Sequence, residues 1–287
     1  MKDSGEWGGL SVSRVEPRVD RDILEDLYRK LNRWEFVHPD PLEFLYHYDD
    51  PEDREIVGLI ASTLAYGRVK QILKSVTNAL GRMGPHPAAF VGDSSPDSLR
   101  TAFEGFKHRF TTGEDLCRML DGVRVVTAGH GSLGEFFATL LSPEDETVLP
   151  ALTSFVGVIA DAPCATTGEE GTCPLPDPER GSACKRLHLF LRWMVRSDDV
   201  DPGGWDSVPA SKLIVPLDTH MHKLSFLLGL TDRKQANGRT ALEVTSAFRT
   251  LSPDDPVKYD FALTRLGIRD DLSADALLFD RVGRKAS

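Results

Sequence analysis

Apolar residues that return every third or fourth position constrain this chain more than any other feature. That spacing paints one side of a helix and cannot line one face of a strand. Over residues 55–80, Ile56, Leu59, Ile60, Leu64, Ile72, Leu73, Val76 and Leu80 follow it, which predicts one long amphipathic helix or two, broken or bent at Gly67. Residues 114–120 and 133–141 repeat the pattern on a smaller scale, whereas 151–159 fits helix or strand equally. No run alternates with period two for long. An extended sheet therefore has little support, and the expected fold class is all-α.

Residues 160–183 are rich in Pro, Gly, Thr and acids, the composition of an exposed loop or crossover. Residues 185–195 then read as a strongly apolar helix, and 197–216 must turn at Pro202-Gly203-Gly204 and at Pro209. A helix over 219–228 should stop at Gly229 in the C′ position. Thr240 and Glu243 read as a capping box for a helix reaching Leu251. Asp255-Pro256 reads as N-cap and first residue of a last helix over 256–266, closed by Gly267. The expected organisation is an N-terminal helical extension over residues 1–50 and a helical domain over 51–287. Within that domain a first subdomain (51–160) and a second (185–287) are joined by a loop (161–184).

Charge bears on the class of partner. The chain carries 34 Lys+Arg against 44 Asp+Glu, a formal net charge of −10. Taken whole, this argues against nucleic acid, because phosphate recognition wants a basic face. By segment the net is −7 over residues 1–53, +3 over 54–130, −8 over 131–184, +2 over 185–235 and zero over 236–287. A face that tracks phosphates thus stays open beside the plainer reading of an acidic surface. No stretch approaches the roughly 20 apolar residues of a membrane span, and no apolar run near the N-terminus suggests a secretory signal. Cys117, Cys164, Cys173 and Cys184 form no C-x-x-C pair. Neither a metal site, an iron–sulfur cluster nor a disulfide framework is expected. The expectation is a cytoplasmic protein with reduced thiols, no cofactor and no membrane.

Two residues carry the candidate chemistry. Lys185 falls in the first turn of its helix if Ser182 is the N-cap, where partial positive charge disfavours an ammonium and favours a nucleophilic free amine. The plainer alternative is that Lys185 and Arg186 are exposed at a frayed helix start. Asp218 ends the apolar run Leu213-Ile214-Val215-Pro216-Leu217. It is either an ordinary N-cap or a carboxylate at the edge of the core, able to take a proton or stabilise positive charge. Thr219 and His220 beside it, with Ser211, Lys212 and Arg186, are candidate phosphate contacts. Lys212 is a second candidate nucleophile. Tyr66 and Trp193 are aromatic candidates for stacking a base, or else core.

The segment Val215-Pro216-Leu217-Asp218-Thr219-His220, followed by Leu228-Gly229-Leu230, resembles the Val-Asp-Thr-His…Leu-Gly-Leu segment of the helix-hairpin-helix base-excision DNA glycosylases. Phe261-Ala262-Leu263-Thr264-Arg265-Leu266-Gly267-Ile268 is similar to the closing helix of that superfamily. The stretch 185–268 as a whole is similar to an uncharacterised bacterial family at its edge. Two departures stand out: the usual Leu-Pro-Gly-Val-Gly hairpin is missing, with only Asp201-Pro202-Gly203-Gly204-Trp205 in its place, and no lysine lies near 198–201. Lys185 and Asp218 are 33 positions apart, a longer spacing that resembles the archaeal 8-oxoguanine glycosylase branch.

The resemblance implies a glycosylase-like fold of two helical subdomains with a cleft between them. It implies Asp218 as the catalytic carboxylate and Lys185 as a Schiff-base nucleophile. The implied activity is a DNA repair N-glycosylase with AP-lyase activity. Its partner would be double-stranded DNA bearing a damaged base, 8-oxoguanine in that branch, and the protein would act as a monomer. Alternatives are a monofunctional glycosylase in which Asp218 activates water, a non-catalytic helical DNA- or RNA-binding protein, and a helical protein-interaction module.

Overall fold

The computed structural model describes residues 19–162 and 171–268. The fold is all-α: α1 (Arg21–Leu31), α2 (Pro51–Thr63), α3 (Val69–Met83), α4 (Pro87–Asp93), α5 (Pro96–Ala102), α6 (Gly113–His130), α7 (Leu133–Leu140), α8 (Leu149–Asp161), α9 (Lys185–Val195), α10 (Thr219–Leu227), α11 (Gly238–Leu251) and α12 (Asp260–Ile268). The sole sheet among the described residues is a hairpin of β1 (Lys107–His108) and β2 (Thr111–Thr112), with Lys107 opposite Thr112. None of the described helices is long and apolar enough to cross a membrane.

The local chemistry explains most boundaries. Asp50 caps α2, its Oδ1 accepting from Glu52 N at 2.8 Å, with Pro51 as first residue. The apolar run 55–80 breaks where Gly67 takes φ +101°, giving α2 and α3 as two helices. Residues 151–159 are helical, inside α8. Gly229 (φ +66°) ends α10 in a Schellman turn, in which Leu230 N donates to Ser225 O at 2.8 Å and Gly229 N to Phe226 O at 3.2 Å.

Three sequence expectations are corrected. Ser182 does not cap α9: the residue before the helix is Cys184, in the left-handed region at φ 43°, ψ 36°. The capping box at Thr240 is displaced by one turn. α11 starts at Gly238, and Asn237 accepts from Thr240 N at 3.1 Å, while Glu243 turns inward to take a hydrogen bond from the buried Thr231 hydroxyl. The last helix starts at Asp260 rather than Pro256 and runs through Gly267. Its start is delayed because Asp255 is drawn to Arg196 (2.9 Å) and Asp260 to Arg192 (2.5 Å). In the acidic connection, Cys164 lies outside the described residues, and Leu175, Pro178 and Ala183 are buried rather than exposed.

One apolar core runs from Val19 to Leu266. α2 lies at its centre against α9, with Gly58 facing Phe190 and Met194. From α2 the buried Glu55 accepts from Leu133 N (2.8 Å), Gly134 N (3.0 Å) and Trp205 Nε1 (2.6 Å), so one carboxylate joins α2, the start of α7 and the turn after α9. On α9, Arg192 meets Asp201 (Nε–Oδ1 3.1 Å) and Asp260. One turn later, Arg196 meets Asp201, Asp198 (2.8 Å) and Asp255. The Tyr28 hydroxyl of α1 donates to Asp198 at 2.8 Å, carrying the network to the N-terminal helix.

Removing one partner of a buried ionic cluster leaves the others uncompensated. Arg192→Ala is expected to cost about 3–5 kcal/mol in urea unfolding. Arg29→Ala breaks an exposed pair with Asp26 and should cost less than about 1 kcal/mol.

Candidate functional site

The backbone at residues 181–185 is held in an unusual course. Cys184 pays the left-handed strain of a non-glycine residue, its N–H donates to Ser182 Oγ at 3.3 Å, and the Gly181 carbonyl accepts from Gly238 N at 3.0 Å. This ties the start of α9 to the start of α11 and turns Lys185 out at the first helical position. Asp218 arrives from the other side. Leu213 to Leu217 are buried as an extended segment, anchored where Val215 N donates to the buried Thr245 hydroxyl at 3.0 Å.

The two residues meet. Lys185 Nζ lies 2.8 Å from Asp218 Oδ2, with the side chains 34% and 32% exposed. The other oxygen, Oδ1, accepts from Met221 N at 2.8 Å, so Asp218 also caps α10. Burial pushes the Asp218 carboxyl up, but the Lys185 ammonium and the Met221 and His220 backbone N–H groups outweigh it and hold it below the usual carboxylate range. One oxygen of Asp218 thus caps α10 while the other faces the Lys185 ammonium. The pair is neither in bulk water nor sealed. Behind it the buried Asp260 interacts electrostatically with both Lys185 and Asp218, and His188 is enclosed one turn along α9.

The neighbouring candidates fall in two groups. Thr219 is exposed at the first position of α10, and His220 next to it has a buried Nε2 with no hydrogen-bond partner. Both sit beside the pair. Lys212 is directed elsewhere, its Nζ donating to the carbonyls of Ser142 (2.8 Å) and Pro143 (2.9 Å). The Ser211 carbonyl accepts from Arg249 at 3.2 Å. Trp193 is fully buried, at 0% exposure, within the core.

Arg186 points back across α9 to the end of α2. It donates to Thr63 O (2.6 Å) and Pro174 O (3.3 Å), and its guanidinium lies 5.1 Å from the Tyr66 ring. Tyr66 itself is half-buried. Its hydroxyl donates to His108 O at 2.8 Å and accepts from Thr111 N at 3.1 Å, which fastens the hairpin to the end of α2. Tyr66, Phe110, Asp115, Thr172 and Arg186 line a recess of about 440 Å³ beside the start of α9. The hairpin was invisible to periodicity, since two residues per strand give no alternation to read. No group of described His, Cys, Asp and Glu side chains is placed to hold a metal ion.

One family model, described as a protein of unknown function (DUF2400), matches residues 40–269. No curated protein and no solved structure matches the chain.

His188 is wholly enclosed, and burial pushes its imidazole down to about 4. The folded state therefore holds it neutral while the unfolded chain titrates near 6.5. Its contribution to stability is complete above pH 6.5 and is lost as pH falls toward 4, amounting to about 2 kcal/mol at pH 5. Urea midpoints at pH 7 and pH 5 should show this fall in the wild type. In His188→Leu the fall should be smaller by about that amount.

Proposed function

The chain belongs to the DUF2400 family, and within it we propose that this protein is a DNA N-glycosylase with AP-lyase activity, acting through Lys185 and Asp218. The observation that carries the reading is the 2.8 Å contact between Lys185 Nζ and Asp218 Oδ2. Two residues 33 positions apart, singled out from sequence for an amine nucleophile and its carboxylate, converge in a part-exposed site.

The proposed chemistry begins when an incoming nucleotide displaces the resting ion pair and Nζ gives a proton to solvent, since the Asp218 carboxyl, held below its usual range, is a poor acceptor; this leaves a free amine. Its lone pair attacks C1′ of a nucleotide extruded from the duplex. The bond between C1′ and the base breaks, and the base leaves with the electron pair and takes up one proton, equal to the one taken from the lysine. Nζ then carries positive charge next to the Asp218 carboxylate, which stabilises it. Transfer of a proton from Nζ to the ring oxygen opens the sugar and gives the imine. Loss of a C2′ proton breaks the C3′–O bond and releases the 3′ phosphate, completing the lyase step. The recess at Tyr66 and Arg186 is the proposed receptor for the extruded base, with 8-oxoguanine the proposed substrate. Thr219 and His220 are proposed to hold the flanking phosphate.

Borohydride reduction of the protein with an 8-oxoguanine duplex should give a covalent complex on a denaturing gel. Lys185→Ala should abolish it, and Asp218→Asn should slow its formation by at least about a hundredfold. Asparagine caps helices as well as aspartate does, so that loss would not come from unfolding α10. Lys212→Ala should trap like wild type, since its amine is engaged by Ser142 and Pro143. Trapping that survives Lys185→Ala would overturn the assignment. Duplex binding with neither trapping nor base release would leave a non-catalytic helical DNA-binding protein.

A further inference from the structure

The tip of the β1–β2 hairpin presents two residues that folding alone would not place there. Phe110 is 83% exposed, the most exposed large apolar side chain among the described residues. Arg109 holds φ +53° at a turn position where glycine or asparagine costs less. The Arg109 guanidinium lies 5.6 Å from the Phe110 ring and 5.9 Å from the Tyr66 ring, so it stiffens the tip against the end of α2. Isolated surface aromatics are common, but this one stands in a distinctive electrostatic setting. Lys74, Lys107 and Arg109 line one recess between α3 and β1, and Arg68 and Lys70 are exposed where α3 begins. None of these five cations forms an ion pair with a described carboxylate. In a chain of net charge −10 they make a locally basic face, with Arg109 joining it to the exposed ring.

We propose that this face binds duplex DNA, with Phe110 entering the base stack and the cluster of Arg68, Lys70, Lys74, Lys107 and Arg109 lying along the phosphates. A ring flanked by cations suits a polyanion whose interior is aromatic. Stacking on a nucleobase is sequence-tolerant, and lysines neutralise phosphates with release of counterions. The face shares the recess proposed as the base receptor. Phe110 and Arg186 border the same recess, and Arg186 is the immediate neighbour of Lys185. A nucleotide displaced by Phe110 would therefore leave the stack beside the receptor proposed for it. The inference takes its partner from the glycosylase reading, but it is tested by binding rather than by chemistry.

Fluorescence anisotropy of a labelled duplex carrying a tetrahydrofuran abasic analogue, titrated from 50 to 200 mM salt, separates the two. Wild type should bind, and Phe110→Ala should bind roughly tenfold more weakly. Phe110→Trp should keep the affinity, with its indole emission quenched on binding. The Lys74→Ala, Lys107→Ala double variant should lower the slope of log K against log salt by about 2. Lys30→Ala, an exposed charge on α1, should change neither quantity beyond the error of the titration. All these side chains are exposed, so unchanged urea midpoints should accompany the losses. Wild-type affinity in both Phe110→Ala and the double lysine variant would overturn the proposal, even if borohydride trapping succeeds. No duplex binding by the wild type would overturn it as well. Loss of binding in these variants, with neither trapping nor base release by wild type, would leave the face standing and remove the glycosylase.

Discussion

Two guanidinium groups one turn apart on α9 hold together parts of the chain that share no local sequence. Arg192 and Arg196, 3% and 5% exposed, gather Asp198 and Asp201 from the turn after the helix, Asp255 from the segment before α12 and Asp260 from its first position. Through Asp198 the same cluster reaches Tyr28 on α1. Buried ion pairs add little net stability over apolar packing, but a broken one is costly, so such a cluster strongly selects one arrangement. It determines where α12 begins and folds the 198–205 turn back on its own helix. There Gly203 N donates to Trp193 O and Trp205 N to Met194 O.

The other end of α9 has the opposite character. Lys185 and Asp218 form a pair that is about one-third exposed. Its position follows from the rigid end. α9 is locked at its C-terminal turn by Arg196 and along its flank by α2, while the buried segment 213–217 delivers Asp218 to the helix start. The lysine and the carboxylate are held at 2.8 Å while about one-third exposed, with Asp218 capping α10 as well. The reactive role proposed for Lys185 rests on this contrast between a sealed ionic cluster at one end of α9 and a part-exposed pair at the other.

Much of this was legible in the sequence. Three- and four-residue apolar steps located α2, α3, α6, α7 and α9, and Gly229 located the end of α10. Asp218 was legible because an apolar run ending in a carboxylate has few physical explanations. Caps were less legible. Ser182, Thr240 and Asp255 each looked like a cap, yet Ser182 Oγ takes the Cys184 N–H, Asn237 caps α11 one turn before Thr240, and Asp255 is drawn to Arg196. Partnerships across long separations were not legible at all: nothing local distinguishes Arg192, sealed against Asp260, from a solvated arginine. The Lys107–Thr112 hairpin escaped because its strands are too short for period two, and the exposed Phe110 at its tip escaped with it. Segment charge pointed to 54–130 as mildly basic, and the structure lines one recess with its Lys74, Lys107 and Arg109.

The central claim is that the Lys185 amine is the group that bonds to DNA. Proteolytic peptide mapping of the borohydride-reduced complex by mass spectrometry tests it directly, because the mass of the reduced deoxyribose adduct identifies its residue. The account predicts the adduct on Lys185, with missed tryptic cleavage there. An adduct on Lys212 or any other lysine would contradict it.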